Sequence, residues 1–454
     1  MKRKALQDLI EWKDRSGRKP MIIRGARQVG KTWLVRELAN QFDNFIEINF
    51  DRNPEKAYMF TENDVSRGIE LLQVDADKDV VPGKTLLFFD EIQAVPKMLP
   101  VLRYFYEECA DLHVIAAGSL LEFILAEHEF SMPVGRVEYM HIGPLDFEEF
   151  LLAQGQSRLV AFLGDYQLQE SVPESIHSKF INYLKLFFIV GGMPAAVVQY
   201  VETGTTSAVS REHSAILQTY EDDFARYRKK IYPQMLRNIF RKLPALVGQK
   251  FKYVNIDPEE RSKDIADSMK LLEMAKIFSR IKHSSGNGVP LGAEAKDKVF
   301  KPLFLDIGLQ AASLGLSLPE FEIQNDLVMV NGGAVAEQFI GQHFLYDGPS
   351  YELPQIFYWN REQKSSSAEV DYLLEYGTTV LPVEVKSGTT GTLKSLQVFV
   401  AEKDSVLALR FNAGMPSLTR LETAIATKPR VEFDLVSLPL YMVCQTQRLI
   451  KSLL

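Results

Sequence analysis

Cysteine is scarce in this chain. Only Cys109 and Cys444 occur among 454 residues, too far apart for a metal-ligand spacing and too few for a disulfide framework, so a reducing, cytoplasmic setting is expected. Long apolar runs are missing as well. The most apolar segment, Tyr183 to Val198, is interrupted by Lys185, Gly191, Gly192 and Pro194. It falls short of the roughly 18 to 20 uninterrupted residues of a membrane span and is expected to be buried core. The first twenty residues begin basic, but Asp8, Glu11 and Asp14 follow with no apolar signal core, so neither export nor a membrane partner is expected. Positive charge is not in excess either. A formal net charge of -7 argues against a protein that coats nucleic acid over its whole surface, while leaving room for a local basic patch. With no repeat period and no low-complexity tract, a chain of this length divides into two to four ordinary domains.

What is present begins with Pro20 to Ala39, where an apolar run, a glycine-framed loop and a helical pattern follow one another without a gap. Gly25-Ala26-Arg27-Gln28-Val29-Gly30-Lys31-Thr32 matches G-x-x-x-x-G-K-[ST] in the strand-loop-helix context that this motif requires. Glycines let backbone N–H groups wrap phosphates, and the new helix presents its positive end to them. Lys31 is expected to reach the β and γ phosphates of ATP, and Thr32 to offer its hydroxyl to Mg²⁺. Further strands are expected at Phe45 to Phe50 and at Thr85 to Phe89, the latter buried on both faces. Asp90 and Glu91 close that third strand: Asp90 to hold the Mg²⁺ shell, Glu91 to orient or deprotonate the attacking water. Ser119, after the strand His113 to Ala117, is a candidate sensor of the γ phosphate and equally a helix N-cap. Arg136, just before a strand at Glu138 to Ile142, could neutralise charge on the transferred group, in cis or from a neighbouring subunit, or be a surface arginine.

GARQVGKT, LLFFDEIQAVP, AAGSLLEF, GR and PLDFEEFL, in this order, resemble the uncharacterised prokaryotic AAA-type P-loop ATPases that carry a restriction-endonuclease-like domain at the C-terminus. The resemblance implies an ATPase core with Lys31, Thr32, Asp90 and Glu91 on the motif positions. Gly191-Gly192-Met193-Pro194 resembles a recurring element of that family without a known chemical role.

From Arg226 to Lys252 the chain holds nine lysines and arginines and no acidic residue, a local inversion of charge that includes Arg228, Lys229 and Lys230. A helical pattern at Arg261 to Ala275 and two strand patterns around a glycine-rich loop follow, which suggests a winged-helix-like module, as the resemblance also implies. The basic stretch is either a backbone-directed contact for nucleic acid or a solvated spacer surface.

A helix is expected at Gly332 to Phe344, then strands at Ile356 to Trp359, Glu369 to Leu374 and Val380 to Lys386, the last two joined as a hairpin. Counting outward from the turn places Asp371 and Glu384 almost opposite one another, with Lys386 on the same face as Glu384. Asp371 followed by Glu384-Val385-Lys386 resembles the D…(D/E)-x-K signature of restriction-endonuclease-like nucleases, with Glu337 as the acid of the preceding helix. In such sites the carboxylates hold Mg²⁺ or Mn²⁺ and the lysine serves the attacking water. A cross-strand salt bridge is the plain alternative.

The expected fold class is α/β: a P-loop ATPase parallel sheet at 1–205, a winged-helix-like module at 206–315 and a restriction-endonuclease-like α/β domain at 316–454. The expected function is ATP binding and hydrolysis coupled to the handling of DNA or RNA. The alternative is a nucleotide-dependent regulatory switch whose nuclease-like fold is catalytically silent. Oligomerisation is not legible in the sequence.

Overall fold

A computed structural model describes residues 1–60, 64–126, 133–227, 233–316, 332–361, 368–388, 392–425, 428 and 430–453. They form two compact units. The first comprises Met1–Pro144 with the short segments Met274–Ile277 and Gly348–Pro354, and the second comprises Leu145–Glu273, Phe278–Asp347 and Gln355–Leu454. The expected division points after residues 205 and 315 both fall within the second unit's span.

The first unit is built on a parallel sheet of β1 (Met21–Arg24), β2 (Asn44–Asn49), β3 (Thr85–Asp90), β4 (His113–Ala117) and β5 (Glu138–His141), in the order β2-β3-β4-β1-β5. Every residue of β3 and β4 is buried, as a parallel strand covered on both faces requires. The helix Lys31–Ala39 buries Leu34, Val35 and Leu38, three positions that share one face at helical spacing. Because β1 lies between β4 and β5, the loop that follows it emerges at the carboxyl edge of the sheet, beside the end of β4.

The second unit carries a mixed sheet of β6 (Phe278–His283), β7 (Lys296–Phe304), β8 (Ile356–Asn360), β9 (Glu369–Tyr376), β10 (Thr379–Val385), β11 (Leu407–Asn412), β12 (Ser417–Glu422) and β13 (Glu432–Pro439). Their order is β12-β13-β11-β10-β9-β8-β6-β7. The expected two-stranded ribbon forms as β6 and β7, but it is not a free wing: β6 also pairs in parallel with β8, which joins the ribbon to the sheet of the hairpin β9-β10. Backbone groups on the second edge of β6 thereby find partners that a lone ribbon would leave to water. The helix Gly332–Leu345 packs on β7, β8 and β10 and brings Glu337 over the sheet.

The apolar segment at residues 183–198 is core, as expected, but in two helices, Glu174–Val190 and Pro194–Thr203, separated at Gly191-Gly192-Met193. The glycines are there for space. A Cβ on Gly192 would lie 2.1 Å from the Leu145 carbonyl oxygen, and one on Gly191, at φ +69°, would lie 2.2 Å from an Asp306 oxygen. Gly192 N–H donates to Asp306 at 2.7 Å, and its carbonyl accepts from Leu145 N–H at 2.7 Å.

Of the basic stretch, Arg228, Lys229 and Lys230 lie outside the described residues. Arg241 is paired with Glu221 at 2.7 Å, and Lys242 donates to the Ile256 carbonyl. Among the described residues no helix is long and apolar enough to cross a membrane.

Candidate functional site

The loop after β1 is held open by backbone geometry. Gly30 sits at φ +93° directly before the helix, and Gln28 is also left-handed at φ +64°. A Cβ on Gly25 would lie 2.4 Å from the Ile142 carbonyl oxygen, so this position takes only glycine without displacing backbone. Ala26 and Val29 are fully buried and anchor the loop, while Arg3 donates to the Val29 carbonyl at 2.9 Å and to the Gly143 carbonyl at 2.8 Å.

Lys31 opens the helix and turns back into the loop, where its ammonium donates to the Gly25 and Ala26 carbonyls at 3.0 and 2.7 Å. Burial pulls its pKa down to about 8, against the opposing charges of Glu91 and Asp90 and with help from Arg27. Thr32 Oγ1 lies 3.1 and 3.3 Å from the two oxygens of Asp90, which also accepts from Asn49 Nδ2 at 3.1 Å. Burial and then the Glu91 charge push the Asp90 carboxyl above its usual range, while the hydrogen bonds from Thr32 and Asn49 oppose that shift. Glu91, in the left-handed region at φ +50°, turns its carboxylate to Gln93 Nε2 and to Ser119 Oγ, the latter at 3.5 Å. Arg27 Nε in turn donates to Ser119 Oγ at 3.3 Å.

Lys31, Thr32, Asp90, Glu91, Ser119 and Arg27 are thus brought together. Arg136 is not among their partners. It is exposed, paired with Glu107 at 2.8 Å and stacked near Tyr106. Gln93, Asn49 and Arg3 were missed. Gln93 stands two residues after Glu91 in DEIQ and could have been weighed with it, whereas nothing local marks Asn49 at the end of β2 or Arg3 near the N-terminus.

The second cluster lies in the other unit. Val383 pairs with Tyr372, so Asp371 and Glu384 come next to each other in the same register, as the hairpin count implies. Asp371 Oδ2 accepts from Val385 N–H at 2.8 Å, and Lys386 donates to Glu384 Oε1. Glu384 Oε2 is buried and has no hydrogen-bond partner among the described residues. Glu337 does arrive from its helix, but its carboxylate is turned to Lys301, a residue the sequence reading did not select. The Lys301 side chain is fully buried and bonds Glu337 at 3.1 Å and Glu369 at 2.9 Å, with Asp371 at 3.9 Å. Burial opposes its charge, but Glu337, Asp371 and Glu369 outweigh burial and hold the ammonium well above its ordinary range. Burial likewise raises Glu337, Asp371 and Glu384, with Lys301 or Lys386 opposing. A lysine amid Val-Phe-Lys-Pro-Leu-Phe was the available signal for Lys301. Among the described residues no three His, Cys, Asp or Glu side chains converge as a metal site does, and two of the carboxylates here are paired with Lys301.

Residues 17–151 match the family model described as an AAA domain. That part of the chain is similar to AAA domains. Residues 181–320 and 332–428 match two models described as domains of unknown function, DUF8612 and DUF4143. No curated protein matches the chain. Among solved structures, a Walker-type ATPase of Pyrococcus abyssi is 15% identical, with 69% of this chain and 95% of that one covered and a TM-score of 0.44. The Aeropyrum pernix ORC2 protein, an ADPNP-ADP complex, is 12% identical over 69% and 92%, with a TM-score of 0.37.

Proposed function

We propose that this protein binds Mg-ATP in the loop Gly25–Thr32 and hydrolyses it. The observation that carries the reading is the convergence of a buried Lys31 ammonium, the Thr32–Asp90 contact and the Glu91 carboxylate at one loop. Lys31 exchanges two backbone carbonyls for phosphate oxygens when nucleotide enters. The donor set suits magnesium: a hydroxyl and a carboxylate already within 3.1 Å of each other are oxygen ligands of the kind a hard cation takes. Thr32 would hold the ion and Asp90 would hold its hydration shell, and the bound ion supplies charge neutralisation across the β and γ phosphates. Glu91 orients the attacking water, with Gln93 and Ser119 setting the direction of its carboxylate. Calorimetry in Mg²⁺ tests the assignment: Lys31→Ala should weaken ATP binding, and Glu91→Gln should keep binding while slowing turnover. Equal affinity of wild type and Lys31→Ala refutes it.

A second reading concerns the unit that carries β9 and β10. Glu384 Oε2, buried beside Asp371 with no donor among the described residues, is an acceptor suited to a cation in addition to Lys386 on the other oxygen. The cluster then holds one Mg²⁺ or Mn²⁺ between Asp371 and Glu384, Lys386 serves a water there, and the nucleotide state governs access of DNA or RNA to it. Loss of metal-dependent cleavage in Asp371→Ala, with nucleic-acid binding retained, supports a nuclease. A wild type that cuts neither DNA nor RNA in Mn²⁺ favours the regulatory switch.

A further inference from the structure

Lys301 is an expensive residue to bury. Its side chain has no exposure, and an ammonium taken out of water costs several kcal/mol unless counter-charges surround it. Here they do. Glu337 from the helix Gly332–Leu345, and Glu369 and Asp371 from one face of β9, all lie within 3.9 Å of the Lys301 ammonium, which sits 5.4 Å from the centre of the Tyr358 ring on β8. Glu337 is fixed further by its own main chain, whose carbonyl accepts from Tyr372 Oη at 2.7 Å. The loop residue Gly248, at φ +77°, adjoins its carboxylate so closely that a Cβ there would lie 3.1 Å away.

That arrangement divides the carboxylates into two sets. Glu337 and Glu369 are committed to Lys301, while Asp371 faces it only at the longer distance and turns its other oxygen to the Val385 N–H. Glu384 keeps one oxygen for Lys386, and its other oxygen is buried with no donor among the described residues. Four carboxylates, Glu337, Glu369, Asp371 and Glu384, face two ammonium groups, Lys301 and Lys386. With every one of these groups ionised, as a bound cation would require, the formal excess is two negative charges, the charge of one divalent ion and not of two.

We infer that Lys301 is a resident cation that stands in place of a second metal ion, so that the cluster has room and charge for a single divalent, oxygen-preferring ion at Asp371 and Glu384. The count of one rests on the divalent-ion reading of this cluster given above, but the role of Lys301 does not. Lys301 belongs to the segment 181–320 that matches one domain model, whereas Glu337, Glu369, Asp371 and Glu384 belong to the segment 332–428 that matches the other. The charge balance of the cluster is therefore assembled from both segments, and the second is electrostatically incomplete without Lys301.

The test counts Mn²⁺ ions per chain by calorimetry and by metal analysis of desalted protein, with no nucleotide present, for wild type, Asp371→Ala and Lys301→Met. Methionine keeps most of the length of the lysine and removes its charge. Lys301→Met should bind one ion more than wild type, because the vacated position leaves Glu337, Glu369 and Asp371 around a gap suited to a hard cation. Wild type should bind one ion more than Asp371→Ala. Both are differences, so any ion held at the nucleotide loop cancels. An unchanged count in Lys301→Met overturns the inference, whatever wild type does. A wild type equal to Asp371→Ala refutes the divalent-ion reading, and an extra ion in Lys301→Met would still support the resident cation. Should Lys301→Met fail to fold in metal-free buffer, refolding in Mn²⁺ gives the same decision. Protein that folds and carries the extra ion supports the inference, and protein that stays unfolded in Mn²⁺ overturns it.

Discussion

Removing Lys31 should make the free protein more stable and a worse nucleotide binder, two effects of opposite sign from one buried charge. In the free loop the ammonium is satisfied only by the Gly25 and Ala26 carbonyls, and burial lowers its pKa from 10.5 to about 8. A folded-state value below the ordinary one means that the stability this group contributes is present above pH 10.5 and lost as the pH falls through about 8. At pH 7 the free protein therefore carries the full cost of the buried charge, about 3 kcal/mol at about 1.4 kcal/mol per pKa unit. Lys31→Met removes that cost together with two hydrogen bonds worth about 1 kcal/mol each, so a net gain of about 1 kcal/mol is expected at pH 7. It should be readable as a rise of a few degrees in Tm at pH 7 and should reverse to a loss of stability above pH 10, where the charge cost is gone and only the two lost hydrogen bonds remain. ATP reverses the balance. The phosphate charge restores the proton to Lys31, so binding at pH 8 should take up about half a proton, and affinity should fall about fivefold between pH 8 and pH 9, once the nucleotide is fully ionised. Calorimetry in two buffers of different ionisation heat reads the uptake directly. Heats that agree between buffers at pH 8, with an affinity flat from pH 7 to pH 9, would refute the reasoning.

Gln93→Ala should lower kcat about tenfold with little change in KM, because Glu91 loses the amide that directs its carboxylate, as supporting-residue losses commonly do. Gly118→Ala should reproduce that phenotype with the fold intact: its Cβ would lie 2.1 Å from Gln93 Oε1, the movable end of a side chain, and would displace it from Glu91. A Gly118→Ala enzyme of wild-type rate would separate Gln93 from catalysis. Gly192→Ala, by contrast, meets the Leu145 main-chain oxygen at 2.1 Å and should cost about 1 to 3 kcal/mol, measured as a lower urea midpoint. Asn49→Ala removes the Nδ2 donor to Asp90 and should weaken nucleotide binding in Mg²⁺ while leaving binding in EDTA unchanged.

The nucleotide loop was legible because its chemistry is local. Eight consecutive residues, a strand before them and a helix after them define the loop proposed to take the phosphates, and Asp90-Glu91 at the end of an apolar strand needs only the parallel sheet to come alongside. The hairpin was legible for a similar reason: a period of two and a short turn fix which side chains face each other, and Asp371 and Glu384 follow from counting.

What tertiary structure decided is what lies across the chain from these motifs. Gln93 acquires its part only because Gly118, at the end of another strand, leaves room for its amide. Arg136, plausible by position beside β5, is drawn instead to Glu107, a partner twenty-nine residues earlier that no local pattern exposes. The glycine pair at 191 and 192 resembles, in sequence, an element without a known chemical role, and its reason is the approach of Leu145 and Asp306 from distant segments. Lys301 is the sharpest case. Along the sequence it is the third lysine of β7, set among the apolar residues Val299 to Phe304, and its three acidic partners lie 36, 68 and 70 residues further on. Ion pairs carry no periodicity: a charge selects its partners by distance in space, and only the packing of β7, β9 and the helix Gly332–Leu345 determines which carboxylates that distance admits.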